Sequence, residues 1–179
     1  DCVAASNLNR QLIALHSTLG KNKAEVMAAR ALDIDSAGNY TAYPLFFDQK
    51  TRDVFDFSRY SYVADCIDDV EAKALLLTCV REKNTPVISC MGAGNKLDGS
   101  AFRVADLEKT RECPLARIMR RKMKEAGVTG VRAVYSEEKP LSPDRALAAE
   151  GERLIGSLSF VPSAAGLLLA GEIVKSLIQ

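Results

Sequence analysis

Short apolar segments alternate along this chain with helical stretches of ten or more residues, and that alternation limits the possible folds more than any single motif does. Tyr60 to Ile67 (YSYVADCI) and Pro86 to Met91 (PVISCM) read as buried strands. Between them Val70 to Lys83 has helical periodicity and is closed by the turn Asn84-Thr85-Pro86. Upstream, Lys23 to Leu32 reads as a helix and Asp33 to Asn39 as a turn. The aromatic stretch Tyr40 to Phe47 reads as a strand, and Thr51 to Phe57 as a short helix. Downstream, Ala101 to Ala105 and Val131 to Tyr135 read as strands flanking a basic helix over Cys113 to Glu125. Leu158 to Phe160 reads as a last strand and Ala164 to Ile178 as an apolar closing helix. The pattern implies an α/β fold with a mostly parallel sheet and flanking helices, whose ligands sit beyond the carboxyl ends of the strands. Asp68 and Gly92-Ala93-Gly94 follow two of those strands and are expected on one edge.

At 179 residues the chain reads as one domain with its own core, and Glu137 to Gly151, rich in charge and proline, as a mobile loop. The 24 basic and 23 acidic residues leave a net charge of +1, so an anionic partner has to meet a local patch and not the average surface. Five widely spaced cysteines without a C-x-x-C pair, and a single histidine, argue against a disulfide framework and against structural zinc. They fit reduced thiols in a cytoplasmic setting. The longest apolar run, Phe160 to Ala170, is too short to span a bilayer, so no membrane partner is expected. Asp1-Cys2-Val3 has neither an initiator Met nor a signal-peptide pattern and reads as a cut or processed start.

The densest polar group is Ser6-Asn7-Leu8-Asn9-Arg10-Gln11, followed by Lys23 at a helix start. Arg offers a fork, Lys a point charge and the amides fixed orientation, so the group suits an anion; a capped, solvated loop explains it as well. Arg117, Arg120, Arg121 and Lys124 share a helix face at i, i+3, i+4 and i+7. That spacing suits a phosphate backbone such as that of tRNA, and equally a solvated face. Cys113 precedes Pro114 at a helix entry, where it is either a nucleophile near the helix dipole or simply the residue before a first-turn proline. His16 has no orienting partner in the pattern and reads as an ordinary surface residue.

The opening Asp1 to Gln11, Gly20-Lys21-Asn22-Lys23 and Asp65-Cys66-Ile67-Asp68-Asp69 resemble the ubiquitin-activating enzyme-like adenylation superfamily of ThiF, MoeB and HesA. Within it, Gly92 to Asp98, Val104 to Thr110, Cys113-Pro114-Leu115-Ala116-Arg117 and Ser157 to Pro162 are most similar to the tRNA threonylcarbamoyladenosine dehydratases. The resemblance implies ATP-dependent adenylation of a carboxylate, then ring closure with loss of AMP. It assigns Arg10 and Lys23 to the ATP phosphates, with Asn7 and Gln11 beside them, and Asp68 to magnesium and triphosphate. It further implies a homodimer acting on tRNA. A sulfur-carrier adenylyltransferase, working with a sulfur-relay or carrier protein, and a non-catalytic scaffold or dimerisation fragment are the alternatives. No G-x-G-x-x-G occurs, so the family's phosphate loop and its N-terminal β-α-β unit are expected to be missing from these residues, and ATP binding by them alone to be weak. The zinc-binding cysteine pairs of many sulfur-carrier enzymes are also absent, which favours the dehydratase branch.

Overall fold

The computed structural model describes residues 1–142 and 155–179 and divides the chain into two compact units, Asp1–Phe47 and Asp48–Gln179. In the first unit the opening residues run antiparallel to residues 20–23, with a bridge between Cys2 and Asn22 and the amides of Val3 and Gly20 bonded to Lys21 O and Val3 O at 2.9 Å. Helix α1 (Lys23–Ile34) follows, capped by Asn22, whose Oδ1 accepts from the amides of Ala24 and Glu25. Tyr40 to Phe47, expected as a strand, forms none. Its aromatic content is a β preference that only a paired neighbour realises, and among the described residues no strand pairs with it.

The second unit holds a four-stranded sheet in the order β1-β2-β4-β3, from β1 (Val63–Asp65), β2 (Val87–Cys90), β3 (Phe102–Asp106) and β4 (Arg132–Ser136). β1, β2 and β4 run parallel, and β3 closes the edge antiparallel to β4, which confirms the mostly parallel α/β reading. Helix α2 (Val70–Glu82) is the β1 to β2 crossover. The Asp69 carboxylate caps it by accepting from Ala72 N, and Asn84, in the left-handed region at φ 57°, ends it just before Pro86. Helix α3 (Pro114–Glu125) starts with proline at its first position, where the missing N–H costs no bond. It buries Ala116, Met119 and Met123 and stops before Gly127 at φ 67°.

Helix α4 (Phe160–Leu177) begins at Phe160, where a last strand over Leu158 to Phe160 was expected; Pro162 sits within its first turn and so interrupts no helical bond. Val161, Ala165 and Leu169 pack on Ile88, Phe102 and Val134 in one apolar core. The helix is therefore longer than the run read from sequence. With 18 residues, mean hydropathy 1.4 and 17% of it buried, it is long and apolar enough to cross a membrane by length and composition, which corrects the expectation of no such segment. The expected mobile loop, 137–151, is described only as far as residue 142, and the rest lies outside the described residues.

Candidate active site

In the first unit Asn7 is buried, its Oδ1 accepting from Ala4 N at 3.0 Å, so it shapes the turn that carries Arg10. Arg10 Nη1 donates to Ser6 O and to Asn9 Oδ1, both at 2.9 Å, and Gln11 stands half-buried beside it. Lys23 is the first residue of α1 and its Nζ pairs with Asp1 Oδ2 at 2.5 Å. The amides at that helix start are all engaged: Lys23 N bonds Asp1 O, Ala24 N and Glu25 N bond the Asn22 side chain, and Val26 N bonds Asn22 O. The start of α1 therefore offers no free backbone donors of the usual helix-terminus cradle, and its one cationic side chain, Lys23, is already paired with Asp1.

In the second unit Asp68 stands at the carboxyl end of β1, the position where open parallel sheets place ligands. It is exposed, and no described residue bonds to its carboxylate. Both neighbouring acids are engaged in the turn: Asp65 Oδ1 accepts from Ile67 N at 3.0 Å and Asp69 Oδ1 from Ala72 N at 2.8 Å. One of three closely spaced acids is thus left for a ligand. Among the described residues no group of three or more His, Cys, Asp or Glu is placed to hold a metal. A single open carboxylate fits magnesium, which is commonly held by one or two carboxylates with phosphate and water completing its shell.

The loop after β2 is tied down from three sides. The Glu138 carboxylate accepts from Leu97 N at 2.8 Å and Asp98 N at 3.0 Å, and buried Lys96 donates Nζ to Glu138 O. Asn95, at φ 58°, exchanges bonds with Gly156 through its own amide and Oδ1, and its carbonyl accepts from Leu141 N. Gly94 is needed by its neighbour, since a Cβ there would lie 2.3 Å from Ile155 Cγ2. Sequence reasoning singled out Gly92 to Asp98 as a resemblance but gave Asn95 and Lys96 no role and missed Glu138, because their partners lie about forty or more residues away.

On α3, Arg117 and Lys124 are exposed with no side-chain partner among the described residues, and Arg121 makes a loose pair with Glu125 at 3.7 Å. Arg120 differs from them: its Nη1 donates to Thr110 O at 2.7 Å and to Thr110 Oγ1 at 2.6 Å, so it fastens the helix to the preceding turn. Cys113 is 3% exposed at the entry to α3 and does not present its sulfur to solvent. His16 is exposed at the start of a short 3₁₀ turn. Burial pushes the Cys90 thiol up to about 12 and raises Cys66 and Cys79 as well, so these three stay protonated near neutral pH.

A mostly parallel sheet with an open acid at the carboxyl end of its first strand is the organisation of an α/β nucleotide-binding protein. The ThiF family model matches residues 1–179, and the chain belongs to the ThiF family. It is 34% identical over 190 aligned residues to the tRNA threonylcarbamoyladenosine dehydratase of Bacillus subtilis, covering 100% of this chain and 75% of that protein. It is 35% identical to the Escherichia coli dehydratase over 151 residues, which is 80% of this chain and 56% of the relative. Among solved structures, the E. coli dehydratase TcdA in complex with AMP superimposes with a TM-score of 0.88 at 31% identity, over 99% of this chain and 73% of that one. The same enzyme in complex with ATP gives 0.84 over 100% and 75%.

Proposed function

We propose that this chain is the adenylating part of a tRNA threonylcarbamoyladenosine dehydratase, using ATP and Mg2+ to activate the carboxylate of the modified base before ring closure. The observation that carries the reading is the likeness, over the whole of this chain and about three quarters of theirs, to the B. subtilis dehydratase and to the ATP- and AMP-bound E. coli enzyme. When bound, ATP supplies an electrophilic α-phosphorus with pyrophosphate as leaving group, and magnesium spreads the charge that builds on the phosphates. Arg10 and Lys23 are assigned to the phosphates. The Lys23 ammonium has three N–H donors and Asp1 takes one, leaving the rest for an anion. Asn7 holds the Arg10 turn in shape, Gln11 offers its amide, and Asp68 orients the metal. Little proton transfer is asked of the protein, which agrees with thiols kept neutral and a lone exposed histidine.

The tRNA contact is assigned to α3, with Arg117, Arg121 and Lys124 as the outward charges and Arg120 as an auxiliary already held by Thr110. All five cysteines are free, which suits a reducing, cytoplasmic compartment. A second copy of the chain is the further partner, and no membrane is required, since α4 packs its buried side on the sheet.

Pyrophosphate exchange in the intact protein tests the chemistry. Arg10→Ala, Lys23→Ala and Asp68→Asn each lower the rate by about 100-fold or more with folding preserved, the loss expected on removing a preorganised charge. Rates near wild type for all three would sink the assignment. A salt series of tRNA affinity tests the substrate: Arg117→Ala with Arg121→Ala lowers the log–log slope by about two. An unchanged slope moves the weight to a carrier protein, whose apolar contact and threaded tail depend little on salt.

A further inference from the structure

Lys73 Nζ, Asp65 Oδ2 and Ser89 Oγ form a closed triangle inside the second unit, at 2.7 Å (Lys73–Asp65), 3.2 Å (Lys73–Ser89) and 2.5 Å (Ser89–Asp65). All three residues are fully buried. The Ser89 hydroxyl donates to the carboxylate and accepts from the ammonium, and no buried side-chain polar atom among the described residues lacks a partner. Strand register makes Asp65 and Ser89 direct neighbours on β1 and β2, and Lys73 comes down from the second turn of α2. The triangle therefore joins three elements at one point, immediately beneath the turn that carries Asp68.

Two buried charges with a hydroxyl are a costly way to join elements that apolar side chains could join, and such networks repay their desolvation chiefly by fixing one geometry. The geometry fixed here belongs to the β1–α2 turn. The Asp65 carboxylate uses Oδ2 on Lys73 and Ser89 and Oδ1 on Ile67 N, one residue before Asp68. On the far side Asp69 caps α2, and Lys73 N bonds Asp69 O at 2.9 Å. Asp68 is thus held between two anchored acids while its own carboxylate stays open.

We infer that Asp65, Lys73 and Ser89 are positioning residues that set the direction of the Asp68 carboxylate, so that metal-dependent adenylation depends on three side chains that touch no ligand. The inference rests on the reading of Asp68 as the acid that orients magnesium.

The test is pyrophosphate exchange against Mg2+ concentration together with direct calorimetric titration of Mn2+ into the ATP-bound intact protein, whose Kd is expected to follow the half-saturating Mg2+, with circular dichroism confirming the fold of each variant. Ser89→Ala and Asp65→Asn are expected to raise the half-saturating Mg2+ by about 5- to 10-fold, while Asp68→Asn abolishes most exchange. Because the three residues act through Asp68, adding Ser89→Ala to Asp68→Asn is expected to have no further effect. Lys73→Met is expected to behave as Asp65→Asn does; if it fails to fold, Ser89→Ala, which keeps the ion pair, carries the test. Folded Ser89→Ala and Asp65→Asn variants with wild-type Mg2+ dependence, or a Ser89→Ala effect that multiplies onto Asp68→Asn, would overturn the positioning role and leave the reading of Asp68 standing. Wild-type exchange in Asp68→Asn would overturn that reading and the positioning role together.

Discussion

Cys113 at the entry to α3 and Lys73 on α2 are both buried, and burial decides the role of each. Cys113 was visible because cysteine before proline at a helix entry suggests either chemistry or a plain first turn, and its burial to 3% exposure favours the plain turn. Lys73 was passed over although its signal was present: it occupies the stripe it shares with Leu76, Leu77 and Val80, at the spacing where α2 needs apolar side chains. A lysine there implies a buried counter-charge, yet the sequence does not say which acid supplies it. The placement of Arg120 was hidden for a similar reason, since its partner Thr110 lies in an irregular turn with no periodicity to mark it. Removing Lys73 alone leaves Asp65 buried without its cation and costs about 3–5 kcal/mol. The thiols give a second expectation at this scale. Because burial holds Cys90 up to about 12 and raises Cys79, alkylation of these two by iodoacetamide is slow at pH 7.5 compared with the exposed Cys2 and Cys66. Mass spectrometry of a timed reaction checks this. Cys113→Ala is expected to keep both pyrophosphate exchange and cyclic-product formation within about twofold of wild type, whereas lost product formation with exchange intact would point to a thioester route, since the thiol would act after the adenylate has formed.

Among the elements, those whose signal is local were legible and those that depend on a distant partner were not. α2 and α3 matched their expected ranges to within a residue, because a capping acid, a first-turn proline and an apolar stripe all lie within the helix itself. Tyr40 to Phe47 and Leu158 to Phe160 had strand-like composition without a neighbouring strand, and in the second case a first-turn proline made helix the better use of the same residues. The charges that fasten α4 to the sheet were likewise unreadable. Glu172 pairs with Lys175 on its own helix and with Arg132 on β4 at 3.5 Å, and Arg132 also meets Asp106 on β3 at 3.4 Å. Lys175 first, with help from Arg132, holds the Glu172 carboxyl below its ordinary 4.5. A carboxyl whose folded value is depressed contributes stability above its unfolded value and loses it as pH falls through the folded one. Glu172→Gln therefore destabilises by about 0.5 kcal/mol at pH 7, the size of a partly exposed pair. Urea titrations at pH 7 and pH 3 are expected to show that difference shrinking at the lower pH, and a difference that grows with acid would contradict the assignment.

For the molecule as a whole, the outer side of α4 is the feature whose purpose is least explained by the chain's own packing. Val161, Ala165 and Leu169 face the core, while Phe160, Leu167, Val174 and Ile178 fall on the opposite side, with Leu167 76% and Ile178 77% exposed. Gly171 lies on the same stripe, and a Cβ there would meet nothing within 4 Å, so a neighbouring backbone has room to approach closely. An apolar stripe of this length left in water favours association. A second copy would satisfy it, because a twofold axis would let the stripe cover itself, each helix supplying the surface the other needs. A bilayer would suit the stripe but not the other side of α4, where Glu172 is paired with a sheet residue and the core packs. Light scattering on the intact protein at micromolar concentration without detergent is thus expected to give twice the monomer mass. Leu167→Glu places two like charges on the shared face and is expected to give the monomer mass with an unchanged circular dichroism spectrum. A wild-type protein that is monomeric across the micromolar range would rule out self-association through α4, and one recovered only with detergent would transfer the stripe to the membrane.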